Sequence, residues 1–145
     1  MNKNLNNTDR KIVNWMKHYS LILLRYSLAI VFIWFGILKP LGYSPAQELV
    51  ANTIYWFSPS WFIPLLGWWE VAIGICLLYK PLTRIGLALM ALQMLGTFLP
   101  LLLLPEVVFD GSILKPTLEG QYIIKNIVII AGAIVIGSHL RDKET

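Results

Sequence analysis

The sequence predicts an all-α membrane protein, a four-transmembrane-helix bundle with a short amphipathic helix in the first outer loop. The 145 residues are 57 % hydrophobic and only 14 % charged, with a mean hydropathy of +0.64. A chain of this length cannot bury so much apolar surface in a water-soluble fold, because its surface is large relative to its volume. Four apolar runs approach the roughly 20 residues that cross a bilayer, and lipid would solvate them.

By composition the chain divides into three parts. Residues 1–19 are a polar N-terminal segment, residues 20–138 hold the apolar runs, and residues 139–145 are a polar tail. Each run must be helical inside the bilayer, because lipid offers no partner to the backbone groups of an open strand. We expect the spans at about 20–38, 61–79, 85–104 and 122–138.

Proline-containing breaks delimit three of the spans. The pair Lys39-Pro40 ends the first run, because proline has no backbone N–H and clashes with the preceding turn of a helix. Residues 79–84, with the sequence Tyr-Lys-Pro-Leu-Thr-Arg, leave only a short hairpin between the second and third runs. Pro100 is predicted to kink the third span near its outer end.

The first outer connection contains a helix signal. Ser44-Pro45-Ala46-Gln47 combines an N-cap serine, a proline at the first helical position and a capping-box glutamine. Apolar side chains then recur at helical spacing on one face, with polar side chains opposite. This helix either lies on the lipid headgroups or forms a lid over an outward-facing pocket, and both interpretations stay open. The apolar face consists of Ala46, Leu49, Val50, Thr53, Ile54 and Phe57.

The basic residues beside the spans predict the orientation in the membrane. Eight lie on one side and two on the other, and the positive-inside rule places the richer side in the cytoplasm. Both termini and the hairpin are therefore expected in the cytoplasm. The eight are Lys3, Arg10, Lys11, Lys17, Lys80, Arg84, Arg141 and Lys143, and the two are Lys39 and Lys115.

The sequence lacks the residues that several classes of biochemical function require. The basic residues lie at the ends of spans and not along one stripe, so we expect no nucleic-acid partner. The single Cys76 excludes an internal disulfide and a C-x-x-C pair. His18 and His139 are the only histidines and lie at the cytoplasmic edge, so no metal or haem site is expected. Without a catalytic motif, we assign no catalytic residue and expect no autonomous enzymatic activity.

Charges at membrane depth are the strongest indication of a site, because each costs at least about 2.5 kcal/mol at a helix centre unless it is paired or solvated. Glu70 and Lys125 each lie roughly 5 to 13 Å inside the outer ends of their spans, and Lys39 lies at the same level. We expect these three to form an outward-facing cluster, either as a Glu70–Lys125 ion pair that joins two helices or as a ligand or proton site. The rim would be formed by Asn126, Gln121 and Glu119.

Two further polar residues lie within the spans. Arg25 is about 20 Å from the outer end of the first span, nearer the cytoplasmic side, and we expect it to snorkel or to bond a neighbouring helix. Gln93 lies midway along the third span and is predicted to bond a neighbouring helix.

Several motifs, taken together, resemble the DoxX-like superfamily, and the chain is most similar to the YkgB/RclC type of small bacterial inner-membrane protein. The resemblance covers about residues 19–141 and implies a four-helix bundle in the inner membrane. Two departures are a shorter first outer connection and Lys-Asn at residues 125–126, where that type has Lys-Asp. The motifs are Arg25 with residues 32–39, residues 67–70 with Gly74, residues 83–84, and residues 119–122 followed by 125–126.

The resemblance indicates the physiological setting of the protein and implies little about a specific activity. Members of the superfamily include a subunit of an archaeal thiosulfate:quinone oxidoreductase, a component of an oxidant-detoxification complex, a protein linked to reactive-chlorine resistance, and eukaryotic cargo receptors. We expect a non-catalytic subunit or accessory protein in redox or envelope-stress physiology that binds a quinone or another small amphiphile. Its partners would be the lipid bilayer and another membrane subunit or a second copy. The alternatives are an oligomeric small-molecule or proton-coupled transporter and a structural scaffold.

Overall fold

The computed structural model describes the backbone of residues 3–141 and the side chains from residue 7 onward. Lys143 and the side chain of Lys3, both part of the predicted charge asymmetry, lie outside the described residues, as does the end of the polar tail. Within residues 3–141 the regular elements are helical. They are α1 (Lys3–Leu38), α2 (Gln47–Thr53), α3 (Pro59–Leu78), a 3-10 turn (Lys80–Leu82), α4 (Thr83–Thr97), α5 (Pro100–Leu103), α6 (Pro105–Val108), α7 (Leu118–Ile124) and α8 (Asn126–Ser138).

Four stretches of helix are long and apolar enough to cross a membrane, which confirms the predicted fold class of an all-α multi-pass membrane protein. Large apolar side chains such as Trp34, Leu95 and Val128 are well exposed on the outside of the bundle, where lipid would solvate them. The four stretches are Asn7–Leu38, Pro59–Leu78, Lys80–Leu103 and Leu118–Ser138.

The first and third spans differ in detail from their predicted bounds. The polar N-terminal segment is helical from Lys3 and runs into the first span without a break. In the third span α4 ends at Thr97 and α5 begins at Pro100, so the helix is interrupted next to the proline at which a kink is predicted. Proline has no N–H to bond the carbonyl of Gly96, which is bonded instead by the N–H of Leu99 at 3.2 Å.

The fourth span begins at Leu118, four residues before the predicted start, and is interrupted at Lys125. Thr117 is the N-cap, and its hydroxyl accepts a hydrogen bond from the backbone N–H of Gly120. The cap explains the earlier start, because it satisfies an N–H group that would otherwise have no partner.

The short helix α2 lies in the predicted connection but begins at Gln47, two residues later than the capping-box pattern indicates. Ser44 does not cap it. Its carbonyl accepts the N–H of Gln47 at 3.2 Å in a turn, and the N-cap position is occupied by Ala46 without a side-chain hydrogen bond.

The helices are arranged around α3. The longest contact runs between α1 and α3, α4 packs on the other side of α3, and α8 touches both α1 and α4. The buried core lies where these four helices meet. It consists of Leu28, Ala29 and Phe32 of α1, Ile73 and Leu77 of α3, Met90 and Met94 of α4, and Ile136 of α8.

Two glycines bring the backbones of α1 and α3 unusually close together. A Cβ atom added to Gly36 would lie 2.7 Å from the carbonyl oxygen of Gly67, and one added to Gly67 would lie 2.5 Å from the carbonyl oxygen of Gly36. Real Cβ atoms do not approach backbone oxygens so closely, so the two helices require glycine at both positions. This contact fixes the relative height of α1 and α3.

Candidate functional site

A buried polar network joins three helices at the end of the bundle where α2 lies. The ammonium of Lys39, just after α1, donates to Glu70 Oε2 of α3 at 2.5 Å. The side-chain amide of Gln93 in α4 donates from Nε2 to Glu70 Oε1 at 2.6 Å. Lys39 and Glu70 are each only 8 % exposed. Each carboxylate oxygen of Glu70 therefore has a donor, as a buried charge requires.

The glycine contact accounts for the position of the ion pair. Lys39 follows Gly36 by three residues and Glu70 follows Gly67 by three residues, so each charge lies on the same face of its helix as the glycine. A Cβ on Gly67 would lie 2.8 Å from the Cβ of Lys39. The close approach of the helices thus directs the two charged side chains toward each other.

Beside this network is a cavity of about 540 Å³, lined by Lys39, by residues of α2, α3, α4, α5, α7 and α8, and by residues of the segments that flank α2. Its volume falls in the range of about 300–1,000 Å³ that is typical of small-molecule sites. Its walls are mainly apolar, and the charged groups that line it are those of Lys39 and Glu70. The arrangement suits a mostly apolar molecule with one polar group.

The helix α2 closes one side of the cavity. All six residues of its predicted apolar face line the space, and Thr53 and Ile54 are buried. The apolar face is therefore turned toward the cavity, as the lid interpretation predicts. The six are Ala46, Leu49, Val50, Thr53, Ile54 and Phe57.

Three other polar side chains of the cavity wall bond backbone carbonyls three or four residues earlier in the chain. The hydroxyls of Thr53 and Thr97 donate to the carbonyls four residues earlier, at 2.7 and 3.1 Å. The amide of Asn126 donates to the carbonyls of Tyr122 and Ile123, both at 3.1 Å. By contrast, the Oε1 atom of Gln93 is buried and has no hydrogen-bond partner among the described residues.

The predicted pair between Glu70 and Lys125 is not formed. Lys125 is exposed, and its ammonium lies 5.1 Å from the ring centroid of Tyr122. Ile123 and Asn126, three residues apart, face the cavity, and Lys125 lies two residues beyond Ile123, which turns it to the other side of the helix. Lys39 takes its place as the partner of Glu70.

The remaining predicted residues fall into two groups. Gln93 bonds a neighbouring helix as predicted, and Asn126 lines the cavity. Gln121 is exposed and donates to the carbonyl of Pro116 at 3.5 Å, while Glu119 is half-buried in the first turn of α7, and neither lines the cavity. They lie at the start of α7, whose inward face is occupied by Gly120 and Ile123.

Arg25 lies apart from the cavity. It is half-buried on α1, and its guanidinium stacks over the ring of Tyr26 at 5.1 Å from the centroid. It lines neither this cavity nor a second, more polar cavity beside Lys39. Arg25 and Tyr26 both belong to α1, so this stacking contact lies within one helix.

Four aromatic side chains that the sequence analysis does not assign to the site also line the cavity: Trp56, Phe62, Trp69 and Tyr122. Trp69 is half-buried, and its indole N–H donates to the carbonyl of Leu89 in α4 at 3.3 Å. Tryptophans near the end of a membrane span are typical of the aromatic belt at the membrane interface. The sequence therefore cannot distinguish tryptophans that line the cavity from tryptophans exposed at that interface. The one sequence feature that could assign Trp69 to the site is its position directly before Glu70.

Lys39 also lines a second, more polar cavity of about 470 Å³. Its wall includes Gln47 and Glu48 of α2 and Ser60 at the start of α3. The Lys39 side chain is thus shared between the apolar cavity and a polar one.

No protein-family model matches the chain, and no curated protein and no solved structure matches it at a significant level of similarity.

Proposed function

We propose that the protein is a DoxX-like subunit or accessory protein of the bacterial inner membrane that binds a quinone or another small amphiphile in the cavity under α2. It has no catalytic role of its own and serves redox or envelope-stress physiology, alongside another membrane subunit or a second copy. Both termini face the cytoplasm in this proposal. The location and the physiological setting rest on the sequence resemblance and on the distribution of basic residues.

One observation carries the ligand-binding part of the proposal. The cavity of about 540 Å³ has mainly apolar and aromatic walls, and its two charged groups, Lys39 and Glu70, form one network with Gln93. Small-molecule sites commonly combine a mostly apolar wall with a few polar groups that orient the ligand. An amphiphile would place its polar head at this network and its apolar body against Trp69 and the face of α2.

Gly96 offers a direct test, because it lines the cavity and a Cβ atom there would meet no atom within 4 Å. Gly96→Phe should therefore occupy the ligand's space without disturbing the packing of the helices. Leu95→Phe is the matched control, since Leu95 is the preceding residue of α4, is 70 % exposed and does not line the cavity. Organic extracts of the three purified proteins are compared by mass spectrometry.

We expect a quinone or another small amphiphile to co-purify with the wild type and with Leu95→Phe, and to be lost from Gly96→Phe. Glu70→Gln should retain less of it than the wild type, because the head group would lose the charged part of the network. Extracts of the wild type that contain bulk phospholipid alone would refute the ligand-binding proposal. So would equal amounts of the amphiphile in the Gly96→Phe and wild-type extracts.

A further inference from the structure

The carbonyl oxygen of the Gln93 side chain is a hydrogen-bond acceptor without a donor. It is buried, and none of the described residues bonds it, although the same side chain lines the cavity and donates to Glu70. A buried acceptor without a partner destabilises the structure, so such atoms mark places where a further group is expected to bind.

The orientation of the Gln93 amide follows from its neighbours. Glu70 forms an ion pair with the ammonium of Lys39, and a carboxylate only accepts hydrogen bonds. The NH₂ group of Gln93 must therefore face Glu70 at 2.6 Å, because the reverse orientation would place two oxygen atoms at that distance. The ion pair thus leaves the carbonyl oxygen of Gln93 as the end of the amide that lacks a partner.

The other polar groups of the cavity do not supply the missing donor. The Thr97 hydroxyl already donates to the backbone carbonyl of Gln93, and the Thr53 hydroxyl donates to the carbonyl of Leu49. Lys39 donates to the other oxygen of Glu70. The charges of Lys39 and Glu70 cancel, so the polar end of the cavity has no net charge.

We infer that the ligand of this cavity is an uncharged amphiphile whose head carries a hydroxyl or N–H donor, and that this donor bonds Oε1 of Gln93. The inference rests on the proposed binding function and narrows the ligand: a quinone head has only carbonyl acceptors, so of a quinone and its quinol only the quinol carries the required hydroxyl. An uncharged head suits the neutral ion pair, since a charged head would remain unpaired in an apolar cavity. A donor on that head satisfies the buried acceptor once the Gln93 side chain turns slightly toward the cavity that it lines.

Matched probe pairs separate the donor from the rest of the ligand. Para-nonylphenol and para-nonylanisole have the same ring and chain, but only the phenol carries a hydroxyl. Binding to the purified protein is measured by the change in tryptophan fluorescence, to which Trp56 and Trp69 of the cavity wall contribute. We expect the phenol to bind about tenfold more tightly than the ether, as the loss of one hydrogen bond to a buried acceptor implies.

The variant Gln93→Met removes the acceptor and keeps the approximate size of the side chain. In this variant the phenol and the ether should bind with about equal affinity, and the affinity for the ether should be the same as in the wild type. Gln121→Met is the matched control, because Gln121 is exposed and outside the cavity, and it should keep the preference of the wild type. A preference that persists in Gln93→Met would overturn the inference.

The wild type alone also provides a test, should Gln93→Met fail to fold. Para-nonylaniline offers an N–H donor, and its N,N-dimethyl derivative does not, so the aniline should again bind more tightly. If both members of each pair bind equally well, the cavity binds amphiphiles and the inferred donor is wrong. If no probe binds, the proposed binding function fails together with the inference.

Discussion

Lys39 and Glu70 form a buried ion pair of 2.5 Å, and each stands three residues after the glycine at which its helix touches the other. The glycine contact and the ion pair therefore belong to one interface. Gly36 and Gly67 set the separation of α1 and α3, and the charges lie one helical turn further along the same faces. Any change that moves the two helices apart should also weaken the pair and the polar wall of the cavity.

Gly67→Ala should destabilise the protein, because its added methyl group would lie 2.5 Å from the carbonyl oxygen of Gly36. We expect a loss of about 1–3 kcal/mol in the free energy of unfolding, the usual effect of overpacking a close contact. The measurement is the unfolding equilibrium of the purified protein in detergent. Gly96→Ala is the control, since a Cβ there meets no atom within 4 Å and alanine favours the helix. Equal stability of the two variants would contradict the proposed role of the glycine contact.

Breaking the ion pair should cost more than replacing it. Glu70→Gln leaves the ammonium of Lys39 buried without a counter-charge, and removal of one partner of a buried pair typically costs about 3–5 kcal/mol. The double variant with Lys39→Met and Glu70→Gln should be more stable than Glu70→Gln alone, because no buried charge remains. Unfolding of the two single variants and the double variant gives the coupling energy between the residues.

The variant Lys125→Met distinguishes the Lys39–Glu70 pair of the structure from the Lys125–Glu70 pair expected from sequence. Because Lys125 is exposed, its replacement should change the free energy of unfolding by no more than about 0.5 kcal/mol. A loss as large as that of Glu70→Gln, with coupling between Lys125 and Glu70, would show that Lys125 is the true partner.

The sequence is sufficient to predict the fold class, because hydropathy depends on the residue types in each run and the length of a helix depends on its number of residues. It places Lys39, Glu70 and Lys125 at one level and leads to Lys125 as the expected ion-pair partner of Glu70. It does not give the rotation of each helix about its axis, which depends on packing. A signal for that rotation exists in the equal spacing from Gly36 to Lys39 and from Gly67 to Glu70. The break at Lys125, which turns this residue outward, has no comparable signal.

The attachment of α2 over the cavity should depend on Ile54, which is 8 % exposed and lines the cavity at the end of the helix. Ile54→Ala should cost about 2 kcal/mol, the lower end of the range for such truncations, because the site already borders a cavity. Amide hydrogen exchange of residues 47–54 should become faster as α2 separates more often. Tyr55→Ala is the control, since Tyr55 is 79 % exposed. Unchanged exchange in Ile54→Ala would show that other contacts hold α2 in place.

The start of the fourth span should depend on the hydroxyl of Thr117. Its oxygen accepts the N–H of Gly120 at 3.2 Å, and its proton is donated toward the carbonyls of Val107 and Val108, at 2.7 and 3.1 Å. One side chain therefore caps α7 and ties it to α6. Thr117→Ala should cost about 0.5–2 kcal/mol in the free energy of unfolding, as expected for the loss of an N-cap, and Thr117→Ser should recover most of it. Thr117→Val, which keeps the shape and lacks the hydroxyl, should behave like alanine. Wild-type stability in Thr117→Val would show that the methyl group of Thr117, and not its hydrogen bonds, holds the two helices together.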